Sequence, residues 1–447
     1  MFPRTITHFF ESWKKQSSRK PLVVRGARQV GKTTVIKQFG KQFDEFIYLN
    51  LELMADRRLF ELGLSVTECL QSILLHKNTS HHAEKSLLIF IDEIQYSSAA
   101  VTMLRYFYEE CPEIHVIAAG SLLETLIDTQ ISFPVGRVEY VYLYPVTFEE
   151  FLLASQEQTC WDLIHNSLPE YAHSKLLELF HTYTMLGGMP EAVTSFIEHR
   201  DWVKLFSIYE SLLIGYQDDA EKYAENKKQA TIIRHVIAHA PLQAGSRIKF
   251  QNFGQSNYGS RDVGEAMRML EKALLIKLTY PTTDLKPPFE ADHKKSPRLQ
   301  FLDTGIVNYS VGLHQELFRV TDLHNLYQGK IIEHIVGQQL LGTYTVHSNQ
   351  LLFWVREKLQ SNAEIDYVIP YGRHLIPIEV KAGKSGTLRS LNSFIDHSEE
   401  NSFAIRLYSG KISREKACSR EGKTFDLLHL PYYLSGQLRR YIEQTRP

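Results

Sequence analysis

Eight residues constrain this chain more than any others. Residues 26–33 read GARQVGKT, the full GxxxxGK[ST] pattern. The apolar run PLVVR (21–25) precedes it and a helical stretch follows. A strand, a glycine-bearing loop and a helix in that order form a phosphate cradle. Gly26 and Gly31 let the backbone approach phosphate oxygens without a Cβ in the way. The loop N–H groups and the helix N-terminus supply donors and positive potential. The pattern predicts nucleotide binding by Gly26, Ala27, Arg28, Gln29, Val30, Gly31, Lys32, Thr33 and Thr34. Lys32 would reach the β- and γ-phosphates of ATP, and the Thr33 hydroxyl would ligate Mg²⁺.

A second motif, LLIFIDEIQ (87–95), supplies what the first lacks. Its apolar run suits a strand buried on both faces. Two carboxylates follow at the tip. Asp92 is placed to hold the Mg²⁺ shell, and Glu93 to orient or deprotonate the attacking water. Ser121, after the run IHVIAA (114–119), is a candidate γ-phosphate sensor or a helix N-cap. Arg137 is a candidate cationic finger.

Further β-rich runs lie at 46–52 and 138–144, with helical stretches between, such as 101–110. Strands alternating with helices predict a parallel, helix-covered sheet. After Pro145 the pattern turns helical over 147–223, with a break at 186–190. A helix over about 261–273 is followed by two β-rich runs, 274–280 and 297–303. That order fits a winged helix. Arg261, Arg268 and Lys272 are matched there by Asp262, Glu265 and Glu271, which favours a scaffold over a basic reading helix.

The third motif is EIDYVIPYGRHLIPIEVK (364–381). It reads as a β-hairpin turning at Gly372. Glu379 and Lys381, two apart on a strand, share one face. Asp366 lies on the neighbouring strand, and Glu333 sits on a helix over 329–342. Asp366 and Glu379 could ligate Mg²⁺, a hard ion that prefers oxygen. Lys381 could stabilise the charge of a phosphodiester under attack. Residues 321–447 carry 16 Lys/Arg against 13 Asp/Glu, a small basic surplus.

Composition sets the outer limits. A chain of 447 residues with 43% hydrophobic and 23% charged side chains is neither disordered nor fibrous. At about 100–200 residues per domain it has room for two to four domains. The formal charge of −1 makes no global case for nucleic acid. The four cysteines are scattered and form no CxxC pair, which suits a reducing cytosol. No apolar run approaches the ~20 residues a membrane span needs, and the N-terminus lacks a signal-peptide core. The expectation is a soluble cytoplasmic protein without membrane contact.

These motifs together resemble the bacterial and archaeal AAA-superfamily ATPases in which an AAA domain precedes a C-terminal domain of unknown function. The resemblance rests on VVRGARQVGKTT (23–34), LLIFIDEIQ (87–95), AAGSLLE (118–124), VGRVEYVYLYPVTFEEF (135–151) and LGGMPEAV (186–193). It continues through SRDVGEAMRMLEKALLIKLTYP (260–281), SPRLQFLDTGIVNY (296–309), GKIIEHIVGQQL (329–340) and EIDYVI…PIEVKAG (364–383). It implies an α/β architecture of four parts. These are an AAA-type P-loop NTPase core (1–150), a helical lid (151–225), a winged-helix segment (226–320) and a restriction-endonuclease-like PD-(D/E)xK domain (321–447). It also implies Asp92 and Glu93 as the Walker B pair, Ser121 at the sensor position and Arg137 as a finger. Glu333, Asp366, Glu379 and Lys381 fall on the nuclease-fold positions. The sensor stretch reads AAGS where an apolar–Thr–Gly–Ser pattern is expected, so Ser121 is the polar candidate left there.

The resulting expectation is an ATP-hydrolysing protein whose nucleotide state is coupled to a nuclease-like module acting on nucleic acid. The alternative is an ATP-dependent signalling switch in which that module only binds. DNA, RNA and a homo-oligomer all stay open.

Overall fold

The computed structural model describes residues 2–80, 82, 84–120, 136–313, 327–343, 351–358, 361–383, 388–399 and 402–445. Ser121 lies outside them.

Five strands form the N-terminal sheet: β1 (Leu22–Arg25), β2 (Glu45–Asn50), β3 (Leu87–Asp92), β4 (His115–Gly120) and β5 (Glu139–Tyr142). Their order is β2-β3-β4-β1-β5, and every pairing is parallel. The apolar run at 87–91 is buried throughout. Its side chains alternate between two cores, because successive strand residues point to opposite faces. Leu88 and Phe90 pack with the helix Lys32–Gly40, while Ile89 and Ile91 pack with the helices Val66–His76 and Ser98–Glu110. All five strands therefore deliver their C-terminal ends to one rim, where ligands bind in open α/β sheets.

The helical stretch after β5 follows the sequence pattern. A capping box at Thr147 and Glu150 starts the helix Phe148–Ala154. The helices His173–Leu186 and Pro190–His199 flank the break at Gly187-Gly188. Phe148, Phe180 and Tyr183 form an aromatic cluster, and Phe180 stacks on Tyr432 near the C-terminus. One hydrophobic core thus runs without a break from Ile6 to Ile442.

The helix Ser260–Lys272 is followed by an antiparallel ribbon of β6 (Ile276–Thr279) and β8 (Arg298–Phe301). It buries Val263, Ala266, Met267 and Leu270. Its charges are largely matched locally: Arg261 with Glu265 at 3.1 Å, Lys277 with Glu271 at 2.8 Å and Lys228 with Asp262 at 3.0 Å. Between the ribbon strands, β7 (Pro281–Thr282) leaves to pair in parallel with β9 (Leu352–Lys358). The segment expected to be a separate winged helix thus donates a strand to the next sheet.

That sheet has seven strands, ordered β13-β14-β12-β11-β10-β9-β7. Its remaining members are β10 (Ser361–Tyr371), β11 (His374–Val380), β12 (Phe403–Tyr408), β13 (Ser413–Cys418) and β14 (Thr424–Pro431). The hairpin expected over 364–381 is β10–β11. One face joins the shared core through Ile376, Ile378 and Ile405, and the other packs on the helix Arg389–His397. No helix among the described residues is long and apolar enough to cross a membrane.

Candidate functional site

The loop at 26–33 leaves β1 at the C-terminal rim and ends in the helix Lys32–Gly40. Gly31, the N-cap, has φ +94°, a conformation that costs a side-chain-bearing residue strain. A Cβ at Gly26 would meet the Leu143 carbonyl oxygen at 2.5 Å, so the loop passes too close to the end of β5 for any larger residue.

Lys32 is buried and its Nζ donates to the carbonyls of Gly26 and Ala27, both at 2.8 Å. Burial lowers the Lys32 pKa to about 8, against the opposing pull of Glu93 and Asp92. The Thr33 hydroxyl donates to Asp92 Oδ2 at 2.7 Å, and the Tyr48 hydroxyl donates to the same oxygen at 3.2 Å. Burial pushes the Asp92 carboxyl up, and those hydrogen bonds resist it. Glu93 has φ 52°, in the left-handed region, which turns the chain sharply at the strand tip. Its carboxylate accepts from Gln95 Nε2. Burial raises its pKa as well. Lys32, Thr33, Asp92 and Glu93 therefore meet on one rim. Thr33 and Asp92 are hard oxygen donors in mutual contact, which suits Mg²⁺.

Two further residues fix this loop. Arg4 Nη1 donates to the Val30 carbonyl at 3.0 Å and Nη2 to the Tyr144 carbonyl at 2.7 Å. Arg28 Nη1 reaches both carboxylate oxygens of Asp219, at 2.7 and 2.6 Å, just beyond the helix Val203–Asp218. Thr34 is exposed, and Gln29 has φ 65° within the loop.

Arg137 does not join this group. It precedes β5, whose Glu139 pairs with Leu22 at the opposite end of β1 from the loop. Its Nε donates to Glu109 at 2.8 Å, an acid that also receives Arg105.

A second cluster forms on the C-terminal sheet. The register pairs Tyr367 with Ile378, so Asp366 and Glu379 are cross-strand neighbours. Lys381 Nζ donates to Glu379 Oε1. The Val380 N–H donates to Asp366 Oδ2 at 2.8 Å. Glu333 comes from the helix Tyr327–Thr343, and its backbone carbonyl accepts from the Tyr367 hydroxyl at 2.7 Å.

A second cation beside these acids is Arg298 of β8, which the sequence reading did not single out. Its guanidinium donates to Glu364 and, at 3.1 Å, to the Asp366 carbonyl. It stands 3.6 Å from Asp366 Oδ1 and 3.9 Å from Glu333 Oε2. Burial disfavours its charge, but Asp366 and Glu333 overcome this and hold its pKa above the ordinary value. Burial, then the Asp366 charge, pushes Glu333 up to about 8 and Glu379 up to about 7. Burial also raises Asp366, with Arg298 opposing. Asp366 and Glu379, expected as Mg²⁺ ligands, thus face Arg298 and Lys381. Among the described residues no group of three or more His, Cys, Asp or Glu is arranged to hold a metal ion.

Between the two sites lies a buried polar network. Asp303 caps the helix Thr304–Ser310 through the N–H groups of Gly305 and Ile306 and accepts the Gly188 N–H at 2.5 Å. Gln338 Nε2 donates to Asp303 Oδ2 at 3.1 Å. Gln339 donates to the Tyr183 hydroxyl and accepts the Phe148 N–H, both at 2.8 Å. Asp303 within LDTG is recognisable as an N-cap, but its partners are 35 and 115 positions away.

Residues 18–152 match the family model of an AAA domain. Residues 177–317 and 328–433 match two models described as domains of unknown function, DUF8612 and DUF4143. Among solved structures the chain is similar to a Walker-type ATPase of Pyrococcus abyssi. The identity is 14% and the TM-score 0.45, over 70% of this chain and 96% of that one. No curated protein matches. The match over residues 18–152 supports an AAA-type ATPase domain in that part of the chain.

Proposed function

We propose that this protein binds and hydrolyses ATP at the loop 26–34 and couples its nucleotide state to the C-terminal module. The supporting observation is the Thr33–Asp92 hydrogen bond at 2.7 Å, beside buried Lys32 and half-buried Glu93. Lys32 neutralises phosphate charge. Thr33 and Asp92 hold Mg²⁺, which when bound offsets charge on the β- and γ-phosphates. Glu93 takes the proton of the attacking water, a role its raised pKa suits. Ser121 contacts the γ-phosphate in this reading. Arg137, at the far end of the sheet, serves as a finger only toward a neighbouring copy. The parts are an ATPase core (1–150), a lid (151–225), a winged-helix-like segment (226–320) and a nuclease-like domain (321–447), working in the cytoplasm.

The C-terminal cluster is read as a nucleic-acid cleavage site, with Glu333, Asp366 and Glu379 as the acidic set and Lys381 facing the scissile phosphate. Arg298, lodged among these acids, favours a second reading in which the module binds without cutting. Cleavage of plasmid, linear duplex, single-stranded DNA and RNA, with and without ATP, decides between them. Cutting that disappears in Lys381→Ala supports the nuclease. ATP turnover with no cutting of any substrate moves the weight to the binding module.

A further inference from the structure

Four carboxylates, Glu333, Glu364, Asp366 and Glu379, surround two cations, Arg298 and Lys381. The carboxylates outnumber these two cations, with Arg247 a further 3.7 Å contact of Glu364. Glu379 is 4% exposed, and its Oε2 has no hydrogen-bond partner among the described residues. A buried carboxylate oxygen without a partner is costly, and it marks a place where a further ligand atom fits. The two cations are not alike. Lys381 lies two residues after Glu379, just past the end of β11. Arg298 comes from β8, 68 positions before Asp366, in the ribbon behind the helix Ser260–Lys272.

We infer that Arg298 is a built-in counter-ion that locks the acidic cluster, holding by its guanidinium the place a divalent cation must enter. The inference rests on the nuclease-like reading of Glu333, Asp366 and Glu379. The planar fork reaches Glu364 and the Asp366 carbonyl together, which fixes the positive charge between Glu333 and Asp366. Phe353 and Tyr367 flank it, at 5.0 and 5.8 Å from the guanidinium carbon to the ring centres. With this charge in place a divalent ion meets repulsion at short range in a poorly solvated site. Withdrawing it leaves Glu333 and Asp366 without the cation that stands between them, beside the buried carboxylate of Glu379.

The strand that carries Arg298 is tied toward the other site. Gln300 and Phe301 bond to His334 on the helix Tyr327–Thr343, and Asp303 holds the Gly188 N–H beside the lid. The lock is therefore mounted on the part of the molecule that reaches the nucleotide-binding half.

The test is Mn²⁺ binding to the nucleotide-free full chain, followed by calorimetry and by the loss of the free-ion paramagnetic resonance signal. Arg298→Gln is expected to bind at least about tenfold more tightly than wild type, and adding Glu379→Gln is expected to abolish the gain. Equal Mn²⁺ affinity in wild type and Arg298→Gln, lost in both on Glu379→Gln, overturns the lock and leaves the metal-cluster reading standing. No Glu379-dependent binding in either protein overturns both. Arg298 is buried, so far-ultraviolet circular dichroism and a melting curve accompany each variant. Arg298→Met, which fills the same buried space without the charge, keeps the question answerable if Arg298→Gln does not fold. It should tighten Mn²⁺ in the same direction, and no change there tells against the lock.

Discussion

Arg4 and Glu150 stand 146 positions apart in the chain, yet Arg4 Nε donates to Glu150 Oε2 at 3.0 Å. Both side chains are buried, at 7% and 5% exposure. The same guanidinium holds the Val30 carbonyl of the phosphate loop and the Tyr144 carbonyl beyond β5. Glu150 in turn accepts the N–H groups of Thr5 and Thr147. The pair therefore pins the chain's first turn, the loop and the start of the helix Phe148–Ala154 to one point.

Removing half of that pair strands a buried charge. Arg4→Ala is expected to destabilise the protein by about 3–5 kcal/mol. Urea unfolding measures this, and a loss below about 1 kcal/mol contradicts the clamp. Nucleotide affinity should also weaken, because the Val30 carbonyl loses its donor.

Glu93→Gln keeps the shape of the side chain and removes the proton acceptor. ATP should still bind, while turnover falls by about 10²-fold or more. Single-turnover hydrolysis beside a binding titration separates the two effects. Unchanged turnover removes Glu93 from the base role.

The Lys32 ammonium predicts a pH dependence. Its pKa in the free protein is about 8 because burial disfavours the charge. Bound phosphate favours the charged form and raises that pKa. Affinity for ATP is therefore full below pH 8 and falls above it, by up to about tenfold per pH unit. Titrations between pH 7 and 9.5 show the fall, which Lys32→Arg should move out of range. A flat profile in the wild type counts against the buried ammonium as the phosphate partner.

Arg28 and Asp219 tie the loop 26–33 to the end of the helix Val203–Asp218. Arg28 is half exposed, at 43%, so solvent screens the pair. A double-mutant cycle of Arg28→Gln and Asp219→Asn should give a coupling of about 0.5–1 kcal/mol. Nucleotide should reduce that coupling, since phosphate competes with Asp219 for the guanidinium. A coupling that bound nucleotide leaves unchanged places Arg28 outside the phosphate's reach.

Several elements were readable because local patterns sufficed. LLIFI shows burial on both faces in five letters, and the hairpin at 364–381 carries its own register through alternation and Gly372. GARQVGKT and IDE fix the rim chemistry from two short stretches. What stayed hidden depends on contacts between distant segments. Nothing in SPRLQFLD marks Arg298 as the partner of acids more than 30 residues later. Arg4 near the N-terminus looks like a surface cation until the loop and Glu150 close around it. The excursion of β7 to a different sheet rests on two residues, too few for any periodicity. Arg137 was legible as a cation, but its end of the sheet became clear only from the strand pairing.

The helix Tyr327–Thr343 carries Gln339 and Glu333 six residues apart. At 1.5 Å per residue that is about 9 Å along a rod that resists stretching. Gln339 accepts from the Phe148 N–H at the start of the helix Phe148–Ala154, and Glu333 sits in the acidic cluster. A tilt or slide of this rod cannot be confined to one of its grips. Between the Phe148 contact and Glu333 there is thus continuous helix and no loop to take up a displacement.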